Sequence, residues 1–272
     1  MNEEERVVRW EKEGNMATVW LCSPARRNAM GPAFWKQLPL VMEEIGGDED
    51  VRAVALCAEG PAFCVGLDLK AMSDTIGDAG DGGAGRRMQF FKDIERLQGS
   101  ISSLADCPVP VVVALHGWCI GGGVDLASAC DIRVASKDLK LSVRETKMAM
   151  VADVGTLQRL PEIISRGHFN ELIYTGKDIG ADRCKEIGLV NDLYDTPEEA
   201  MKAARDMASE IAANSPLAVK GVRSVLKYGA DKSVEDGLNY VALWNTAFLF
   251  SEDLNEAVTA FLEKRKPAFK GK

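Results

Sequence analysis

Short apolar runs alternate with amphipathic stretches through the first two-thirds of the chain. Ala17–Cys22, Val51–Cys57, Val109–Leu115 and Ile132–Ala135 are brief and rich in Val, Ile, Leu and Ala, and they predict strands. Between them, Pro32–Ile45 and Arg87–Leu104 carry a helical pattern, with Pro32 suited to a first turn. This alternation predicts parallel β/α layering. Beyond about Gly155 the strand signal fades. Thr196–Ala213, Pro216–Lys227, Val234–Phe250 and Leu254–Lys264 predict helices. Thr196 offers a cap, Pro197 a first-turn proline, and Glu198 and Glu199 acids near the positive end of the dipole. The expected organisation is an α/β core over residues 1–195 and a helical region over 196–272. Ser73–Arg86, rich in Gly and Asp, predicts a mobile loop. Gly80 to Gly85 spells the dinucleotide pattern G-x-G-x-x-G, but no strand leads into it, so that reading is rejected.

Composition narrows the class. With 272 residues, 46% hydrophobic and 27% charged, the chain can bury a real core and matches soluble globular proteins. A net charge of −8 without a dense basic run argues against a nucleic-acid partner. No apolar run is long enough for a membrane span. The start, Met1 to Arg6, is acidic, and the end, Phe269 to Lys272, lacks a peroxisomal tripeptide. Seven cysteines without a Cys-x-x-Cys pair suit neither a disulfide framework nor a metal site. The expectation is a cytoplasmic protein without a metal.

Three acids, Asp125, Glu145 and Asp153, sit at intervals of twenty and eight, each near apolar or glycine-rich sequence. A carboxylate in such surroundings is costly unless it is paired or used. Each has a plainer role: Glu145 as a solvated loop acid, Asp125 as a first-turn helix acid, Asp153 as an N-cap. Two strand-to-helix junctions, Pro61 to Leu69 and His116 to Asp125, carry glycine at the bend. Free N–H groups at two such junctions, aimed at one point, make an oxyanion hole. Each junction alone reads as a tight turn. His116 and His168 have no Ser or Cys partner that would suggest a nucleophile.

Taken together, Arg27-Asn28-Ala29-Met30, Ala62 to Asp68, His116-Gly117 with Gly121-Gly122-Gly123, Ala129 to Ile132, Leu157 to Pro161, Tyr174-Thr175-Gly176, Ala181 to Val190 and Phe261 to Pro267 resemble the crotonase superfamily, the enoyl-CoA hydratase/isomerase enzymes. The likeness spans nearly the whole chain. It implies a ββα spiral core followed by a helical trimerisation region, assembled as a homotrimer or a homohexamer of two trimers. It implies an acyl-CoA thioester substrate and no separate cofactor, coenzyme A being part of the substrate. It places the thioester-binding N–H groups at Leu67 and Gly122. It assigns Arg26, Ala62, Cys64, Gly66, Asp68 and Gly121 to substrate binding, with Arg26 standing in for a lysine that many hydratases carry where this chain has Ala25. Lys264 and Lys266 are further candidates for the nucleotide phosphates.

Within the superfamily the acids decide the reaction. Asp125, Glu145 and Asp153 together are similar to the set in Δ3,5-Δ2,4-dienoyl-CoA isomerases. The resemblance implies Glu145 as the base at C2, Asp153 as the acid at C6 and Asp125 as a supporting acid, all with raised, coupled pKa values. An enoyl-CoA hydratase, a Δ3-Δ2-enoyl-CoA isomerase, and a non-catalytic acyl-CoA or RNA-binding protein of the same fold remain as alternatives. Gly122→Val is expected to impair turnover more than folding, because a Cβ would crowd the oxygen site.

Overall fold

A computed structural model describes residues 6–71 and 83–272. The strands are β1 (Val8–Glu13), β2 (Met16–Leu21), β3 (Ala53–Ala58), β4 (Val111–Leu115), β5 (Trp118–Ile120), β6 (Ile132–Ser136), β7 (Lys140–Ser142), β8 (Ile179–Gly180) and β9 (Asp192–Tyr194). The helices among the described residues are α1 (Pro32–Gly47), α2 (Gly83–Ala105), α3 (Gly122–Ala129), α4 (Thr156–Arg159), α5 (Arg166–Thr175), α6 (Ala181–Glu186), α7 (Pro197–Ala212), α8 (Pro216–Gly229), α9 (Val234–Phe248) and α10 (Glu252–Glu263).

Six strands form one sheet in the order β1-β2-β3-β4-β6-β9, antiparallel only at β1-β2. A second, three-stranded sheet has the order β5-β7-β8. The chain thus winds through repeated ββα turns, the spiral expected from the resemblance. β3 and β4 are buried along their whole length, which explains their unbroken apolar runs. On one face Val54, Leu56, Val111, Val113 and Leu115 join the main core with α1 residues such as Leu38 and Ile45. On the other, Ala53, Ala55, Cys57, Val112 and Ala114 meet Ala204, Ala208 and Ala212 of α7. Alanine every fourth residue lets α7 lie close to the sheet, and a Thr196–Glu199 capping box starts the helix.

The structure differs from the sequence reading at several elements, the three-residue strands β5 and β7 among them. Gly83–Arg86, expected in a loop, opens α2; the remainder of that loop, with Gly80 and Gly82, lies outside the described residues, as do Met1–Glu5. Strands β8 and β9 occur beyond Gly155, where none was expected. They are two and three residues long, too short to show a period. Strand β1 was also missed, because its outward residues are charged and only Val8 is buried along it. No helix among the described residues is long and apolar enough to cross a membrane.

Candidate active site

The site forms where the two glycine junctions are drawn together. Bridges pair Ala62 with Gly117 and Cys64 with Cys119. Phe63 N–H donates to His116 O at 2.9 Å, Cys64 N–H to Trp118 O at 3.1 Å, and Ile120 N–H to Cys64 O at 2.9 Å. Asn28 supports the first junction from below. Its Nδ2 donates to Glu59 O and Ala62 O, both at 2.9 Å, and its Oδ1 accepts from Ser23 N–H at 2.8 Å. His116 is buried, its Nε2 lies 3.0 Å from Gly60 O, and burial lowers its pKa, which fits a framework role.

Gly66 holds φ +82°, and a Cβ there would lie 2.9 Å from Ile120 O and 3.3 Å from Gly122 N. Only glycine allows this approach. It brings the Gly66–Leu67 peptide against the start of α3. Met30 N–H donates to Gly66 O at 2.8 Å and Asp68 N–H to Met30 O at 3.1 Å, leaving the intervening Leu67 N–H outside that bridge. Neither Leu67 N–H nor Gly122 N–H makes a main-chain hydrogen bond among the described residues. Two neighbouring free N–H groups can hold one carbonyl oxygen between them, with the positive end of α3 behind it.

Glu145 and Asp125 stand against this junction. A Cβ on Gly121, at φ +52°, would lie 3.1 Å from Glu145 Oε1, so that carboxylate sits directly over the junction. Glu145 opens a 3-10 turn, Glu145–Met148, after β7. Asp125, in the first turn of α3, is fully buried and accepts from Thr156 N–H at 2.5 Å. Asp125 Oδ2 and Glu145 Oε2 are buried without a hydrogen-bond partner among the described residues. Burial pushes Asp125 up to about 6; hydrogen bonding from Thr156 opposes the rise, Asp153 adds to it and Arg159 subtracts. Burial pushes Glu145 up to about 7, and the charges of Asp125 and Asp153 push the same way. Desolvation also raises Asp153, although the residue is exposed. A carboxylate near 7 is tuned for proton transfer at neutral pH.

The plainer roles are now distinguishable. Asp153 does not cap a helix, since Gly155 occupies the N-cap of α4. Glu145 is no solvated loop acid. Among the other candidates, Ala62, Cys64 and Gly66 are buried in the junction. Asp68 accepts from Ala71 N–H at 2.9 Å and stands 4.0 Å from the Arg26 guanidinium, which is exposed on the same side. Lys264 caps the end of α10 in the left-handed region, and both it and Lys266 are exposed. Met30 escaped the sequence reading as a site residue. A Cβ on Gly122 would meet Met30 Sδ at 2.6 Å, so it would strike this buried side chain and not the open oxygen site. Gly122→Ala should therefore lower thermal stability as well as turnover, with kcat/KM down by about 10²-fold if the donor is displaced. A variant with unchanged kinetics would show that the Gly122 N–H is not used.

Against this geometry the comparisons are direct. The enoyl-CoA hydratase/isomerase family profile matches residues 11–272. The chain belongs to this family. A mitochondrial Δ3,5-Δ2,4-dienoyl-CoA isomerase of Dictyostelium discoideum is 40% identical over 97% of this chain and 92% of its own. A peroxisomal Δ3,5-Δ2,4-dienoyl-CoA isomerase of Arabidopsis thaliana is 38% identical over 97% of this chain and 95% of its own. The crystal structure of an enoyl-CoA hydratase from Bacillus anthracis superposes with a TM-score of 0.89 at 28% identity, covering 98% of this chain and all of that one. The crotonase-type fold is thus established for this member of the family. The cytoplasmic placement expected from the sequence is overturned, because these family relatives are mitochondrial and peroxisomal proteins. Free thiols separate oxidising from reducing compartments; they do not distinguish one reducing compartment from another.

Proposed function

We propose that this family member is a dienoyl-CoA isomerase that converts 3,5-dienoyl-CoA thioesters to 2,4-dienoyl-CoA thioesters. The observation that carries this reading is a third carboxyl: Asp153 stands three residues before Thr156, whose N–H binds Asp125, and its charge raises the proton affinity of Asp125 and of Glu145. Glu145 removes a proton from C2. The electron pair left at C2 delocalises onto the adjacent thioester oxygen, which accepts from Leu67 N–H and Gly122 N–H, and in the other direction along the two double bonds to C6. Asp153 then gives a proton to C6. One proton leaves the substrate and one arrives, so the product is an isomer. The cycle ends with Glu145 protonated and Asp153 ionised, and exchange with solvent resets both. Asp125 keeps the proton affinity of Glu145 high through its charge.

Ala62, Cys64, Gly66, Asp68 and Gly121 shape the thioester end of the site, and Arg26 faces the phosphates of coenzyme A. Monitoring ultraviolet absorbance with 3,5-dienoyl-CoA and with 2-enoyl-CoA tests the reading. Conjugated product from the first substrate supports it. Hydration of the second without turnover of the first would replace it with a hydratase.

The acid limb of kcat/KM is expected between about 6 and about 7, the range of the coupled Asp125–Glu145 pair. The sign is set by Glu145: below its pKa the base carries a proton and turnover is lost. A rate profile that stays flat through this range would remove Glu145 as the base.

Assembly belongs to the same proposal, with residues 1–195 holding the site and 196–272 mediating contacts between copies. Helices α8–α10 leave Leu226, Leu238, Leu243 and Phe261 exposed, and Phe250 beyond α9 is 91% exposed. Apolar surface on this scale is expected between copies, in trimers or pairs of trimers. Light scattering at micromolar protein checks this, and a strictly monomeric mass would refute it.

A further inference from the structure

Arg159 takes no part in the steps above, yet it grips the framework of the site. Its Nη2 donates to Ser102 Oγ in α2 at 2.8 Å, and its Nη1 to Val154 O at 3.3 Å. Gly155 makes the space: it holds φ +133°, and a Cβ there would fall on the Arg159 guanidinium. Gln98, one turn before Ser102 on the same face of α2, donates its side-chain amide to Asp153 O at 2.7 Å. Helix α2 therefore holds the 153–155 turn at two points, once directly and once through Arg159. That turn presents the Asp153 carboxyl, and the next residue, Thr156, holds Asp125.

We propose that Arg159 is a positioning residue for the isomerase reaction: it braces the 153–156 turn against α2 and sets a positive charge toward Asp125. The inference rests on the proton-transfer reading above. Gln98 bonds the main-chain oxygen of Asp153, and no side-chain bond to its carboxyl is found among the described residues, so the backbone of this turn sets its place. An acid displaced by about 1 Å from its proton acceptor can lose about 10²-fold in rate. The groups facing Asp125 are Asp153 and Arg159 from the turn and α4, Glu145 from its 3-10 turn, and the buried thiols of Cys64 and Cys119. Among the described residues, the side chains of α2 that bond the turn and Arg159 are the neutral Gln98 and Ser102, and Arg159 brings the cation.

In Arg159→Gln, kcat for 3,5-dienoyl-CoA should fall by about 10²-fold with KM little changed. Exchange of the C2 proton with solvent deuterium, measured above the acid limb, should fall much less. The acid limb of kcat/KM should move to higher pH, because loss of the cation makes the carboxyl pair harder to ionise. Arg159→Lys should return the limb but not the full kcat, since the shorter lysine lacks the planar fork whose two nitrogens hold Ser102 and Val154. Ser102→Ala should lower kcat and leave the limb in place. A folded Arg159→Gln protein with wild-type kcat and limb overturns the proposal. If that variant does not fold, Ser102→Ala at wild-type kcat overturns it instead. Wild-type protein without dienoyl turnover would fail the functional reading first and the brace with it.

Discussion

Glu145→Gln is expected to abolish both dienoyl-CoA isomerisation and the exchange of the C2 proton with solvent deuterium. The substitution keeps the shape and removes the proton acceptor that lies over Gly121. Loss of a positioned base costs about 10²- to 10⁴-fold. The fold should survive, and at neutral to alkaline pH it should become more stable. The sign follows from the raised pKa, about 7 against an ordinary 4.5. Above the folded value the carboxylate is ionised at a cost in a desolvated, acid-lined site, and Gln removes that cost. Below the ordinary value both states are protonated and the gain disappears. Loss of activity together with an equal or higher Tm identifies a catalytic defect. Retained exchange at C2 would show that another group is the base.

Asp153→Asn is expected to separate the two halves of the reaction. Isomerisation should collapse by about 10²-fold or more, because the amide cannot deliver a proton to C6. Exchange at C2 needs only Glu145 and the two N–H donors, so it should persist in part. The Asp153 side chain is exposed, and its main-chain oxygen, not its carboxyl, is tied to Gln98. The substitution should therefore leave stability nearly unchanged. Full isomerase activity in Asp153→Asn would end the two-carboxylate assignment and return the protein to the wider hydratase/isomerase family.

These two variants probe residues that were visible as candidates in the chain itself, and the reason differs from residue to residue. Asp125 and Glu145 drew notice as acids in apolar or glycine-rich surroundings, and burial with raised pKa values is what such surroundings produce. Asp153 was equally visible, but its plainer role as an N-cap could be dismissed only when Gly155 was seen in that position. Gly66 and Gly121 were legible as bends; that they nearly touch was not. Met30 and Arg159 carry no local signal that separates them from an ordinary core methionine and an ordinary helix arginine.

The strands β3, β4 and β6, the helices that follow residue 196 and the identity of the candidate acids were determined by the sequence by itself. A strand buried on both faces is mostly apolar, and an amphipathic helix must repeat its apolar positions, so local burial leaves a trace in the sequence. Strands β8 and β9 are too short to leave one. The tertiary structure alone decided that Gly66 lies against Gly122, that Glu145 sits over Gly121, that Thr156 holds Asp125, and that α7 packs its alanine face on the sheet while α8–α10 leave large apolar side chains exposed. Each of these joins residues tens of positions apart through bridge register and layer packing. A periodic pattern records what each residue faces; it does not record which distant residue faces it in return.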